Sequence, residues 1–277
     1  MPRGFWTSCL LSLGLAATAL AAAAPIRFAL VSDPHVNRGT AEDQPLYRGR
    51  FERVIAAVNA EKVSFVLITG DLTQGGKPVE SDDFKQLVTG FTAPVHYVPG
   101  NHDVGGKRIA GKDAGPTEAR VQAFEDKLGP SFYVHPEAGL RLIGINSAIL
   151  GSGLPVEEKM WALLDHELAQ PGATPTIVFS HYPLFLKTPD EPGGEYWNIE
   201  PAPRARLLAL LKRGGVQLML SGHLHYSLTN HVDGIWFLST LPVSFGLPRA
   251  KNLQGWTLVT LPTDGTDPQF ETRLVKD

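Results

Sequence analysis

The chain alternates two kinds of apolar pattern. Runs with almost no polar interruption, "IRFALVS" at 26–32, "SFVLIT" at 64–69 and "PVHYVP" at 94–99, are separated by stretches of helical spacing, with Phe51, Val54, Ile55 and Val58 in the first and Phe84, Leu87 and Val88 in the second. Runs that are apolar at every position suit strands covered on both faces, and a period of 3.6 suits the helices that cover them. The first hundred residues therefore predict βαβαβ and a layered α/β core.

The alternation continues with a helix near 117–128, strands near 132–135 and 141–146, a helix holding Trp161, Leu164 and Leu168, a buried strand "TIVFS" at 176–180, the helix "RARLLALLKR", and the strand "VQLMLS" at 216–221. From 224 to 275 short strands joined by turns such as "VDG" and "PTDGTDP" predict an antiparallel tail. Two segments, 103–116 and 183–201, are too long and irregular for simple connections. Phe185, Tyr196 and Trp197 predict that the second is an ordered lid.

Residues 1–23 stand apart. Arg3 followed by "LLSLGLAATALAAAA" has the form of a secretory signal peptide, with an apolar stretch too short for a membrane span. The expectation is an exported protein, periplasmic or secreted, with no stable membrane anchor once the leader is removed and a single domain over 24–277. The only cysteine, Cys9, would leave with the leader, so the rest must be held by a core large enough to need no disulfide. The net charge is −3, from 25 basic and 28 acidic residues, with no basic block. That excludes nucleic acid as a natural partner, because binding it rests on clustered Lys and Arg. A locally bound anion stays open.

How the strands end carries the chemistry. "ALVSDPH" finishes at Asp33 and His35, "VLITGD" at Asp71, "HYVPGNHD" at Asn101 and His102, "IVFSH" at His181 and "LMLSGHLH" at His223 and His225. The carboxyl ends of parallel strands open onto one crevice, so residues far apart in sequence converge there. Asp33, His35, Asp71, Asn101, His181, His223 and His225 are more donors than one tetrahedral ion takes, and suit two ions sharing a bridging carboxylate. Two divalent cations outweigh the two aspartates and a bridging hydroxide, so the centre would stay positive and attract phosphate. Metal-bound hydroxide would then be the nucleophile. His102 is left over to protonate the leaving oxygen, with Asp103 as an acceptor orienting its ring.

The ordered series D-x-H, G-D, G-N-H-D, a lone His and G-H-x-H resembles the calcineurin-like metallophosphoesterase superfamily, over nearly all of the chain after the leader. The resemblance implies a four-layer αββα sandwich of two mixed β-sheets flanked by helices, around a dinuclear centre. It also implies a partition, with Asp33, His35, Asp71 and His225 on one ion and Asp71, Asn101, His181 and His223 on the other. Purple acid phosphatases carry a tyrosine three residues after the bridging Asp; here Gln74 stands there, against that branch. "HYPLFLKTPDEPGGEYWNI" and "GHLHYSLTN" resemble a subgroup described as serine/threonine protein phosphatases.

The resulting expectation is a metal-dependent phosphoric ester hydrolase acting on a phosphate ester, phosphomonoesterase before phosphodiesterase. The competing class is a non-catalytic metal-binding protein of the same fold. Iron, manganese, zinc and cobalt all suit the donor set. Tyr182, Tyr196, Trp197, Asn198 and Arg249, in or beside the rim loops, are candidate substrate contacts. His96, His135, His166 and His231 read as surface or hydrogen-bonded histidines. "GKRIAGKD" lacks the Ser/Thr of a phosphate loop and "HELAQ" the second His of a zinc-protease helix, so neither adds a site.

Overall fold

In the computed structural model, which describes residues 1, 24–38, 43–109, 115–248 and 251–275, β1 (Ile26–Val31), β2 (Val66–Ile68) and β3 (Val95–Tyr97) run parallel. The helices α1 (Asp43–Glu61) and α2 (Pro78–Val88) connect them, as the alternating pattern predicts. They are followed by a single helical turn, α3 (Asn101–Val104), and by α4 (Glu118–Leu128). Then come β4 (Tyr133–Glu137), β5 (Leu140–Gly144), α5 (Pro155–Glu167), β6 (Thr176–Phe179), α6 (Pro201–Arg213) and β7 (Leu218–Ser221). The chain closes with β8 (Leu228–Val232), β9 (Ile235–Ser239), β10 (Gly255–Leu261) and β11 (Gln269–Leu274).

These strands form two mixed sheets flanked by helices, in the orders β11-β10-β1-β2-β3 and β4-β5-β6-β7-β9-β8. Successive residues of a strand point to opposite faces, so each central strand feeds two cores. Phe28 and Leu30, Phe65 and Leu67, Leu142, Phe179 and Leu220 meet between the sheets. Ala29, Val31, Val66, Ile68 and Ile143 face outward onto helices, where Phe51 of α1 and Phe84 of α2 lie parallel at 6.2 Å. On the other sheet α5 and α6 lie together, with the Arg206 guanidinium 4.2 Å over the Trp161 ring.

The antiparallel tail expected after residue 224 is present only in part: β8 pairs antiparallel with β9, and β10 with β11 and β1, but β9 runs parallel to β7, and β10 and β11 belong to the other sheet. The local pattern of a strand fixes its faces and not its neighbour, so β10, apolar on both faces, could enter the middle of a sheet rather than extend a tail. The expected leader and Arg249 lie outside the described residues. Among the described residues no helix is long and apolar enough to cross a membrane.

Candidate dinuclear metal centre

The carboxyl ends of β1, β2, β3, β6 and β7 open on one side of the two sheets, and the polar residues after them meet there. Asp33 Oδ1 lies 3.3 Å from His225 Nε2 and 3.8 Å from His35 Nε2. Asp71 Oδ2 lies 3.3 Å from His181 Nε2 and 3.6 Å from His35 Nε2. Asp33, His35 and His225 thus form one group of converging ligand atoms and Asp71, His181 and His223 another, with Asp71 touching both. Asn101 completes the second, its Oδ1 3.0 Å from His181 Nε2. All seven expected donors are brought together.

Hydrogen bonds behind the rings decide which nitrogen faces inward. The Nδ1–H of His35 donates to Gln74 Oε1 at 2.9 Å, that of His181 to the Thr69 carbonyl at 2.8 Å, and that of His225 to the Phe245 carbonyl at 2.6 Å. Each bond leaves Nε2 on the inside, the arrangement by which an outer acceptor orients a metal-ligating imidazole. His223 is turned the other way: its Nε2 lies 3.3 Å from the Tyr196 carbonyl and its Nδ1 3.1 Å from His181 Nε2.

The fit to metal can be tested on the atoms themselves. Asp33 Oδ1 and His35 Nε2 are buried without any hydrogen-bond partner, which is costly for a carboxylate unless a cation compensates it. Burial would raise both aspartates, but the His225 charge beside Asp33 and the His181 charge beside Asp71 hold their carboxyls well below the usual range, so both are anions. Burial lowers His35 to about 4 and His223 to about 3, so both rings are neutral, the form in which imidazole binds metal. Burial also opposes charge on His181, but Asp71 overrides it and raises that ring to about 9. A cation would replace that proton.

The backbone here is strained in a way the sequence did not signal. Asp33, His35, Asp71, His223 and His225 all have φ between 46° and 67°. A left-handed non-glycine residue costs about 1–3 kcal/mol and persists only where the surroundings enforce it. Two neighbouring glycines are needed for space: a Cβ on Gly100 would sit 2.1 Å from Asp71 Oδ1, and one on Gly222 would sit 1.8 Å from Ser32 Oγ.

Around the centre the expected residues separate. His102 is half-buried on the cleft wall, its ring 4.6 Å from that of His35, with Nδ1–H donating to the Gln74 carbonyl at 2.7 Å. That corrects the expectation for Asp103, which does not face the His102 ring. Its buried carboxylate instead accepts from the backbone N–H of Leu72, Thr73 and Gly100 and from the Thr73 hydroxyl, while the Gln74 carbonyl takes the His102 Nδ1–H. Tyr196 and Trp197 form the rim with Phe245 and Leu247, and Asn101 Nδ2 donates to the Tyr196 hydroxyl at 3.2 Å.

Two proposed substrate contacts are displaced. Tyr182 is fully buried, packed 4.1 Å behind the His223 ring, so it supports a ligand and does not reach the cleft. Asn198 is buried and donates to Glu191, holding the rim loop. Sequence reasoning missed Phe245, whose ring packs 4.4 Å from that of His225, and Ser147, whose Oγ accepts from the His181 and Tyr182 amides. An apolar residue in a turn and a serine after a strand carry no chemical signal.

The family model described as calcineurin-like phosphoesterase matches residues 26–227, which include every donor above. The chain belongs to the calcineurin-like phosphoesterase family. Among curated relatives, this chain is 30% identical over 199 residues to Serine/threonine-protein phosphatase CPPED1 of Danio rerio, a match covering 66% of this chain and 62% of that one. It is 27% identical over 213 residues to "Probable cyclic nucleotide phosphodiesterase" of Rhodococcus erythropolis, covering 74% and 66% respectively. The chain spans about three fifths of the length of the CPPED1 proteins it matches, 62% in Danio rerio and 58% in Homo sapiens. A solved dimetal phosphatase from Danio rerio shares the fold, with TM-score 0.61 at 13% identity over 92% of this chain and 98% of that one. The family depends on a dinuclear metal centre, and the clustered side chains are potential ligands for one.

Proposed function

We propose that this protein is an exported phosphomonoesterase whose two metal ions are held by Asp33, His35, Asp71 and His225 and by Asp71, Asn101, His181 and His223. The observation that carries the reading is Asp71, whose Oδ2 faces a histidine of each cluster while its Oδ1 accepts the His102 amide. When bound, the ions would supply charge to neutralise phosphoryl oxygens and acidity for the attacking water.

The remaining work falls to the side chains. His102 has its Nδ1 committed to the Gln74 carbonyl, so Nε2 is free to carry a proton to the leaving oxygen. Phe245, Leu247 and Trp197 shield the cleft from bulk water on its apolar side, and the Tyr196 hydroxyl holds Asn101 in place. Similarity to CPPED1 favours a phosphomonoester. Similarity to a cyclic nucleotide phosphodiesterase supports the second reading, a diester.

The test is the ratio of kcat/KM for a nitrophenyl phosphate monoester and a bis-nitrophenyl diester, with manganese-loaded protein and Asp71→Asn as background. A ratio favouring the monoester supports the proposal, and one favouring the diester replaces it with the second reading. No rate above background for either leaves a binding protein. The export reading rests on the leader pattern, and N-terminal sequencing of protein from fractionated cells tests it: a processed terminus outside the cytoplasm is expected, and an intact cytoplasmic chain sinks it.

A further inference from the structure

Among the described residues one further group of ligand-type side chains converges outside the centre: His96 on β3 with His135 and Glu137 on β4. β3 is the last strand of one sheet and β4 the first of the other, so the group spans the gap between two sheet edges. Val95 and Tyr97 pack toward the helices, which turns His96 between the sheets, where its ring lies 6.3 Å from that of Phe65. His135 and Glu137 are two apart on β4 and share the face of Tyr133, whose ring meets Phe179 in the inter-sheet core.

The geometry is close to that of a bound ion. His96 Nε2 lies 3.0 Å and His135 Nε2 3.9 Å from the same oxygen, Glu137 Oε2, and the three ligand atoms are all within 4.8 Å of one another. Tetrahedral bonds of about 2.0–2.1 Å put ligand atoms about 3.3 Å apart, within reach of small side-chain rotations. The His135 side chain is 47% exposed, against 11% for His96 and 18% for Glu137. One side of the site therefore opens to solvent for entry and for water as a fourth ligand. Burial lowers His96 below its ordinary value, favouring the neutral imidazole that ligates metal.

We propose that His96, His135 and Glu137 form a zinc site that fastens the edge of one sheet to the edge of the other. The ion would join two strands that stand at the ends of their sheets, beside the bond by which the Tyr133 hydroxyl of β4 donates to the Tyr97 carbonyl of β3. It would add stability without touching the phosphoester cleft.

Zinc content decides the matter without any rate. Protein stripped with chelator, equilibrated with micromolar free zinc and desalted should retain one more zinc per chain as wild type than as His135→Ala or Glu137→Gln. Zinc should also raise the Tm of wild type more than that of either variant. Circular dichroism establishes that both variants fold, and their ester hydrolysis should match wild type. Equal zinc content in all three proteins overturns the proposal. Loss of an ion together with loss of hydrolysis also overturns it, because the missing ion then belonged to the other centre.

Discussion

The backbone N–H of His102 donates to Asp71 Oδ1 at 2.8 Å, so the carboxylate that joins the two ligand clusters also fixes the residue beside them. With Nδ1 bonded to the Gln74 carbonyl, the ring has one free nitrogen and one direction in which to deliver a proton.

If His102 protonates the leaving oxygen, its removal should matter most when that oxygen leaves poorly. His102→Asn should lower kcat about 10²- to 10⁴-fold for an alkyl phosphate and far less for a nitrophenyl ester, whose leaving group needs no proton. Steady-state rates across esters of graded leaving-group pKa measure this. An equal loss for all of them would assign His102 a positioning role.

Asp71→Asn keeps the shape of the side chain and removes the charge shared by both clusters. Metal content and kcat/KM should fall together, the latter to near the uncatalysed background, as read by elemental analysis and nitrophenyl ester hydrolysis. Full activity in this variant would sink the dinuclear scheme.

Gly100→Ala alters no donor, yet its methyl would overlap Asp71 Oδ1 and the Asp71 amide, 2.1 and 2.2 Å away. The clash should destabilise the protein by about 1–3 kcal/mol and weaken metal retention. A Tm lower by several degrees is expected, on a scale of roughly 2–4 °C per kcal/mol for a domain of this size. Calorimetry with metal analysis checks it, and an unchanged Tm would mean that the loop shifts freely.

The rim loop depends on Glu191, whose carboxylate accepts from the N–H of Leu186, Lys187 and Thr188 and from Asn198. Burial would raise this group, but those donors outweigh it and hold its carboxyl below the ordinary glutamate value. A depressed folded pKa means that the contribution is present above the ordinary value and lost as pH falls through the lowered one. Hydrogen exchange at 186–188, corrected for intrinsic rates, should therefore show protection lost only on the acid side of the ordinary value. Glu191→Gln should have weaker protection throughout, and identical protection in both proteins would remove Glu191 as the latch.

Much of the centre was legible because strand ends combine two readable signals, a doubly apolar run and a polar residue after it. Asp33, Asp71, Asn101, His181 and His223 needed nothing more. Asp103 was misread because adjacency in sequence suggested a partner, whereas the turn of α3 points its carboxylate at amides from another loop. The left-handed backbone of Asp33, His35, Asp71, His223 and His225 is also invisible in a sequence, since residue type rarely demands it outside glycine. The destination of β10 was hidden for a further reason: edge and centre positions are chosen by the whole sheet.

The place of β10 beside β1 has a consequence in time. β1 carries Asp33 and His35 at its end but lacks a neighbour on one side until Gly255–Leu261 has been made and has crossed back to it. Pairing across so long a stretch of chain is slow, because loop closure precedes any reward. The strand that carries the first donors therefore gains its second neighbour late, so the ordering of Asp33 and Asp71 against each other, through β1 and β2, should precede the flanking of β1 by β10.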